Sequence, residues 1–226
     1  MGTTIYTATT WILPVLLAIT LHEAAHGYAA DRLGDDTARR AGRISLNPLR
    51  HVDAFGTILL PALLLLTRAP FLFGYAKPVP VSFWRLNHPR RDMVLVAAAG
   101  PGMNLLLALG AAFLYHGIEW LPARVAPWAA ENLWNALLIN VVLAVFNMLP
   151  LPPLDGGRVA VGLLPDTLAR PLARLEPIGI FLVLAALFLL PGLGDMIGVD
   201  LNIFRWLVAI PAQWLLNLIA TVAGIA

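Results

Sequence analysis

Apolar positions in this chain come in long unbroken runs, separated by short connectors rich in charge or proline. The first run extends roughly from Ile5 to Ala30. Further runs cover Met93 to Tyr115, Leu133 to Leu154 and Ile178 to Leu190, with a last one over Leu201 to Ala220. A helix needs about 20 such residues to cross a bilayer core. The pattern predicts an all-α polytopic membrane protein of about five to six transmembrane helices, organised as one domain over residues 1–226. The first run ends in small residues, as a signal peptide does. Its first basic residue, Arg32, follows the apolar stretch instead of preceding it, so the segment reads as a retained span.

The run from Ala54 to Phe73 is different, because Pro61 and the Arg68-Ala-Pro70 sequence interrupt it. Before it, Asp31 to Asp53 is polar, and its "GRISLNP" has some β character ending in a turn signal at Asn47-Pro48. After it comes the Pro-rich, basic "GYAKPVPVSFWRLNHPRRD". Charge decides how 54–73 is read. Ten Arg or Lys residues lie in 31–92, and Arg158, Arg170 and Arg174 lie in 155–175. Connector 118–132 holds Glu119, Glu131 and one Arg, and 191–200 holds Asp195, Asp200 and no base. Basic connectors face the cytoplasm, which requires 54–73 to enter and leave on one side. A re-entrant hairpin shielded by protein does this. The expectation is five spans with a short β/re-entrant segment after the first helix, in a multi-pass protein of the cell (plasma) membrane.

Composition narrows the chemistry. Of 226 residues, 59% are hydrophobic and 12% charged, against about 25% charged in a soluble domain. The mean hydropathy is +0.78. The net charge of +2 is small and its bases sit between spans, so nucleic acid is not expected as a partner. With no cysteine in the chain, disulfides and thiolate ligands are excluded and any metal must be held by His, Asp or Glu.

One such site is apparent. "LHEAAH" places His22, Glu23 and His26 inside the first span. Residues four apart share a helix face, so both imidazoles reach one ion, with Glu23 one position round the helix. Zinc lowers the pKa of bound water to about 7, and a neighbouring carboxylate takes its proton during attack on a carbonyl. The alternative, a chance polar face, is disfavoured by depth: an acid at mid-span costs about 2.5–3.5 kcal/mol.

A catalytic zinc takes three protein ligands and keeps one position open. Asp155, in "FNMLPLPPLDGGR", is the best third ligand. His22 lies about 25 Å along its helix from Ile5 at 1.5 Å per residue, and both it and Asp155 fall near the cytoplasmic ends of their spans. The plain alternative for Asp155 is an Asp-Gly turn at the membrane edge. Pro150, Pro152 and Pro153 break the helix just before it, and broken backbone at that depth needs a water-filled or protein-lined cavity. Asn147 offers amide donors to a substrate carbonyl or its developing oxyanion; a helix–helix hydrogen bond is nearly as good a reading. In "AAAGPGMN", Gly100, Gly102 and Asn104 read first as small or polar packing residues, with Asn104 able to orient a ligand. His51, His88 and His116 read as solvated histidines, and the Trp residues at 120, 128, 134, 206 and 214 as interfacial anchors.

With "HEAAH", "GPGMN" and "FNMLPLPPLDGGR" in three successive crossings, the chain resembles the site-2 protease family of intramembrane zinc metalloproteases, over a core of residues 15–165. The resemblance implies one zinc on His22, His26 and Asp155, Glu23 as the general base, and Asn147 in substrate binding or transition-state stabilisation. It implies transmembrane proteins as substrates, and a compact branch without PDZ or CBS modules. It sets no oligomeric state, trigger or particular substrate. The rival is a non-catalytic zinc-binding membrane protein or metal transporter. A transporter should string ionisable residues through the membrane, whereas here they gather at one depth.

Overall fold

The computed structural model describes residues 2–59, 63 and 77–225. Five of its helical segments are long and apolar enough to cross a membrane: Tyr6–Arg32, Pro89–Trp120, Ala126–Asn147, Glu176–Ile197 and Arg205–Ala223. In chain order the α-helices are α1 (Gly2–Arg32), the short α2 (Thr37–Arg40), α3 (Pro89–Leu114), α4 (Ala126–Asn147), α5 (Asp155–Leu163), α6 (Asp166–Ala173), α7 (Glu176–Ile197) and α8 (Ile210–Ala223). Among the described residues there is no strand. The expected β character of 42–48 is therefore not seen. Most of the expected re-entrant segment, from 60 onward apart from residue 63, lies outside the described residues.

α1, α3 and α4 pack against one another, and α8 closes on α3 and α4. Small residues make this possible, since in lipid the helices associate by close packing and not by escaping water. Ala108, Ala111 and Ala112 of α3 meet Leu137 and Val141 of α4 and Ala212, Leu216 and Ile219 of α8. α7 is the most apolar span, and little of it is buried.

The third crossing differs from the hydropathy reading. It ends at Asn147, not at Leu154, and Asp155 opens a separate helix, α5. The stretch "LPLPP" is apolar enough to prolong a span, but its prolines cannot continue the ladder. The broken segment folds back over the start of α5. A Cβ on Gly156 would overlap the Met148 carbonyl, and one on Gly157 would overlap the backbone of Pro152. Arg90 of α3 fixes the α5–α6 corner, donating to the Gly162 carbonyl at 3.0 Å and to Asp166 at 2.7 Å. Arg158 of α5 lies 5.1 Å from the centre of the Phe83 ring and pairs with Glu176 of α7 at 3.0 Å. These ties seat α5 against α3 and carry Asp155 into the bundle.

Between α2 and α3 the described residues include 3-10 turns at Pro48–Arg50 and Phe83–Arg85 and a π-helical turn at Ala54–Leu59. His51, expected to be solvated, is only 2% exposed. Its ring nitrogen Nε2 meets the Ser45 carbonyl at 2.8 Å, and its own carbonyl accepts from the Lys77 N–H at 2.9 Å. Residues 77–82 form an extended strap that returns to the side of α1.

Candidate metal centre

His22 and His26 lie one turn apart in the second half of α1 and face the first half of α3. Their orientation is set by hydrogen bonds made on the far side of each ring. His22 Nδ1 is 2.6 Å from Asn104 Oδ1. The Asn104 amide nitrogen is committed elsewhere, to Asn140 Oδ1 at 2.8 Å and the Ala18 carbonyl at 3.3 Å. Asn140 in turn donates to the Ala136 carbonyl at 2.8 Å. Because that carbonyl can only accept, the chain of bonds has one direction, and His22 must donate from Nδ1. His26 likewise donates from Nδ1 to the Val96 carbonyl at 2.7 Å. Both imidazoles therefore present the Nε2 lone pair inward.

A third donor meets them. Asp155 Oδ2 is 3.2 Å from His22 Nε2 and 3.3 Å from His26 Nε2, and the two nitrogens are 3.1 Å apart. All three residues are buried. With both ring protons used on the outer side, Asp155 Oδ2 has no hydrogen-bond partner. Three electron pairs aimed at one point repel unless a cation sits among them. Zinc bonds of about 2.0–2.1 Å in a tetrahedron separate neighbouring ligands by about 3.3 Å, which these edges match. His, His and Asp with inward lone pairs are a donor set that fits zinc.

Gly100 forms the wall behind the cluster. A Cβ there would stand 2.6 Å from His22 Nε2 and would overlap His26 Nε2. Its smallness leaves room for the two imidazoles that α1 brings against α3. Gly102 has nothing within 4 Å of its Cβ position; it borders an apolar groove of about 470 Å³ between α1 and α3, lined by Leu21, Ala24, Ala25, Tyr28 and Met103 among others.

Glu23 is half-buried, and its Oε2 accepts the Val79 N–H at 2.8 Å. Asn147 is the last residue of α4, and its amide donates to the Leu143 carbonyl of its own helix at 3.1 Å. Thus His22, His26, Asp155, Asn104 and Gly100 come together, Glu23 stands beside them, and Asn147 is turned back along its helix. Asn140, Val79 and Val96 complete the surroundings and were not singled out by the sequence. Only Asn140 left a signal: an amide at the centre of an apolar span is costly unless it is used.

Comparison with known proteins gives the chain a family and several relatives. The model of peptidase family M50 matches residues 115–190. A Bacillus subtilis (strain 168) protein named "Putative zinc metalloprotease YwhC" is 39% identical over 186 residues, which are 80% of each chain. Proteins named "Putative zinc metalloprotease Rip2" are similar too. The one from Mycolicibacterium smegmatis is 31% identical over 79% of this chain and 66% of its own, and one from Mycobacterium tuberculosis (strain ATCC 25618 / H37Rv) is 33% identical over the same shares. No solved structure matches the chain.

Proposed function

The chain belongs to peptidase family M50, and on that premise we infer that it hydrolyses peptide bonds in or beside the transmembrane segments of other membrane proteins. It is an integral membrane protein and a zinc metalloendopeptidase of the site-2 protease type. The observation that supports the finer reading is the meeting of three lone pairs, none with a proton to share, from His22 and His26 in a membrane-spanning helix and from Asp155 at the start of α5.

His22, His26 and Asp155 would hold one zinc per chain, which would lower the pKa of a bound water to about 7 and polarise a carbonyl. Glu23 is the general base. The Val79 N–H fixes its Oε2, which leaves Oε1 to take the proton of the attacking water and pass it to the leaving amine. Asn104 and Val96 keep the imidazoles in the tautomer that ligates. Asn147 serves the substrate by releasing Leu143 and turning its amide towards the scissile carbonyl. A substrate helix must unwind first, because its carbonyls are otherwise bonded within the helix, so Gly, Pro or Asn in the substrate span favours cleavage. The working domain is the single unit 1–226, with its core in 15–165. The basic connectors 31–92 and 155–175 support a site towards the cytoplasmic side of the cell membrane.

The test pairs metal analysis with cleavage. Glu23→Gln should keep one zinc per chain and abolish cutting of a co-expressed membrane substrate. His22→Ala and Asp155→Ala should lose the zinc. Undiminished cleavage by Glu23→Gln would remove the base assignment. Zinc flux through liposomes, with no cleavage by the native chain, would favour the transporter reading.

A further inference from the structure

Among the described residues one backbone N–H reaches the Glu23 carboxylate, and the segment that supplies it is held from a distance. Residues 77–82 read Lys-Pro-Val-Pro-Val-Ser. Pro78 and Pro80 have no N–H and fix φ near −65°, so Val79 carries an isolated donor on a stiff extended strap. That donor goes to Glu23 Oε2 at 2.8 Å. The Val79 side chain is 7% exposed and lies beside Gly27 of α1, where a Cβ would come within 3.0 Å of it. Upstream, Lys77 is tied to the His51 carbonyl, and Arg43 donates to the Lys77 carbonyl at 2.7 Å.

Downstream, the strap ends on a buried charge. Asp35, in the turn after α1, has no exposed surface. Its Oδ2 accepts the Ser82 N–H at 2.6 Å, and its Oδ1 accepts the Thr37 N–H at 3.0 Å and the Thr37 hydroxyl. Arg85 Nε stands 3.9 Å from Oδ1. A buried carboxylate needs such donors to be tolerated, and nothing in the hydrolytic reading uses it. It lies three residues of extended chain, about 10 Å, from the donor that fixes Glu23.

We propose that Asp35 is a positioning residue for the reaction: by clamping Ser82 it holds the Pro-Val-Pro strap so that the Val79 N–H keeps the Glu23 carboxylate oriented beside the metal ligands. This rests on the reading of Glu23 as the base. Asp35 touches neither ligands nor substrate, so its removal should act on turnover and leave metal binding alone. The fold should survive, because the chain beyond the strap has its own anchors in the buried Leu86 and the bond from the Asn87 N–H to the Leu33 carbonyl at 2.8 Å.

The experiment uses the full chain in lipid nanodiscs, as Asp35→Ala, Asp35→Asn and the neighbouring control Asp36→Ala. Three quantities are read: zinc per chain, amide exchange at Val79 and Ser82, and kcat and KM on a quenched fluorescent peptide with a Gly-Asn step in an apolar segment. In Asp35→Ala, zinc should stay at one per chain and both amides should exchange faster, while helix 22–26 stays protected. kcat should fall about 100-fold, as for a displaced catalytic group, with KM nearly unchanged. Asp35→Asn keeps an acceptor for Ser82 and should recover part of kcat; Asp36→Ala should behave as the native chain. Unchanged Val79 exchange in Asp35→Ala would overturn the proposal, and this arm needs no substrate. Loss of zinc in step with activity would overturn it too, by making the role structural. Glu23→Gln is run in parallel: full activity there removes the base reading itself, whereas an inactive Glu23→Gln beside a fully active Asp35→Ala removes only the positioning role.

Discussion

Asn104 Oδ1 accepts the Nδ1 proton of His22 at 2.6 Å, and the Asn140 side chain behind it fixes which way the Asn104 amide faces. Two amides from two helices thus determine which ring nitrogen of His22 carries the proton. Replacing an outer partner of a ligating histidine typically weakens metal binding 10–100-fold. Asn104→Leu should fall in that range when zinc affinity is measured by chelator competition. Asn140→Leu should fall below it, because the Ala18 carbonyl still accepts from the Asn104 amide.

Gly100 and Gly102 lie two residues apart in α3 and should respond in opposite ways. An added methyl at Gly100 meets both Nε2 atoms, whereas at Gly102 it meets open space. Gly100→Ala should therefore lose zinc, with a drop in the melting temperature of the zinc-loaded protein. Gly102→Ala should keep zinc and gain slightly in stability, since alanine favours a helix over glycine by about 0.8–1.0 kcal/mol in soluble hosts. Metal content and thermal melts of the two purified variants decide this.

These contrasts show what the sequence could and could not carry. That His22, His26 and Asp155 meet was legible because few side chains can hold a metal in a chain without cysteine. The five crossings found among the described residues were legible from their apolar runs. The end of α4 was not, since hydropathy counts the Leu residues of "LPLPP" as span while the prolines stop the helix at Asn147. The Val79 N–H that donates to Glu23 and the Val96 carbonyl that accepts from His26 were hidden for another reason: main-chain groups are the same at every non-proline position. His51 misled because polar neighbours in sequence say nothing of what folds over it.

Gly179 of α7 is a further contact invisible in one dimension. A Cβ there would overlap the Pro152 carbonyl, so α7 rests backbone to backbone on the segment that leads into Asp155. Overfilling a tight contact costs about 1–3 kcal/mol. Gly179→Ala should lower stability by that amount. It should also weaken zinc binding with every ligand intact, because the displaced segment carries Asp155 with it. Zinc retained at native affinity, in a variant that melts lower, would show that the two are uncoupled.

Asp35 supplies the pH dependence. Burial alone would raise its pKa, but the Thr37 hydroxyl and the N–H groups of Ser82 and Thr37 outweigh it, with help from Arg85, and hold the carboxyl below its ordinary value of 3.8. A depressed carboxyl stabilises the fold fully above its unfolded pKa, about 3.9, and that contribution is lost as pH falls through the lower folded value. Hydrogen bonds to a charged group are worth about 1.5–3 kcal/mol, so Asp35→Asn should melt clearly below the native chain at pH 6. On acidification the native carboxyl takes up its proton and comes to resemble the amide. The gap between the two melting curves should hold down to about pH 4 and close below it. A gap that stays constant into acid would mean that shape, and not charge, makes Asp35 the anchor of the strap.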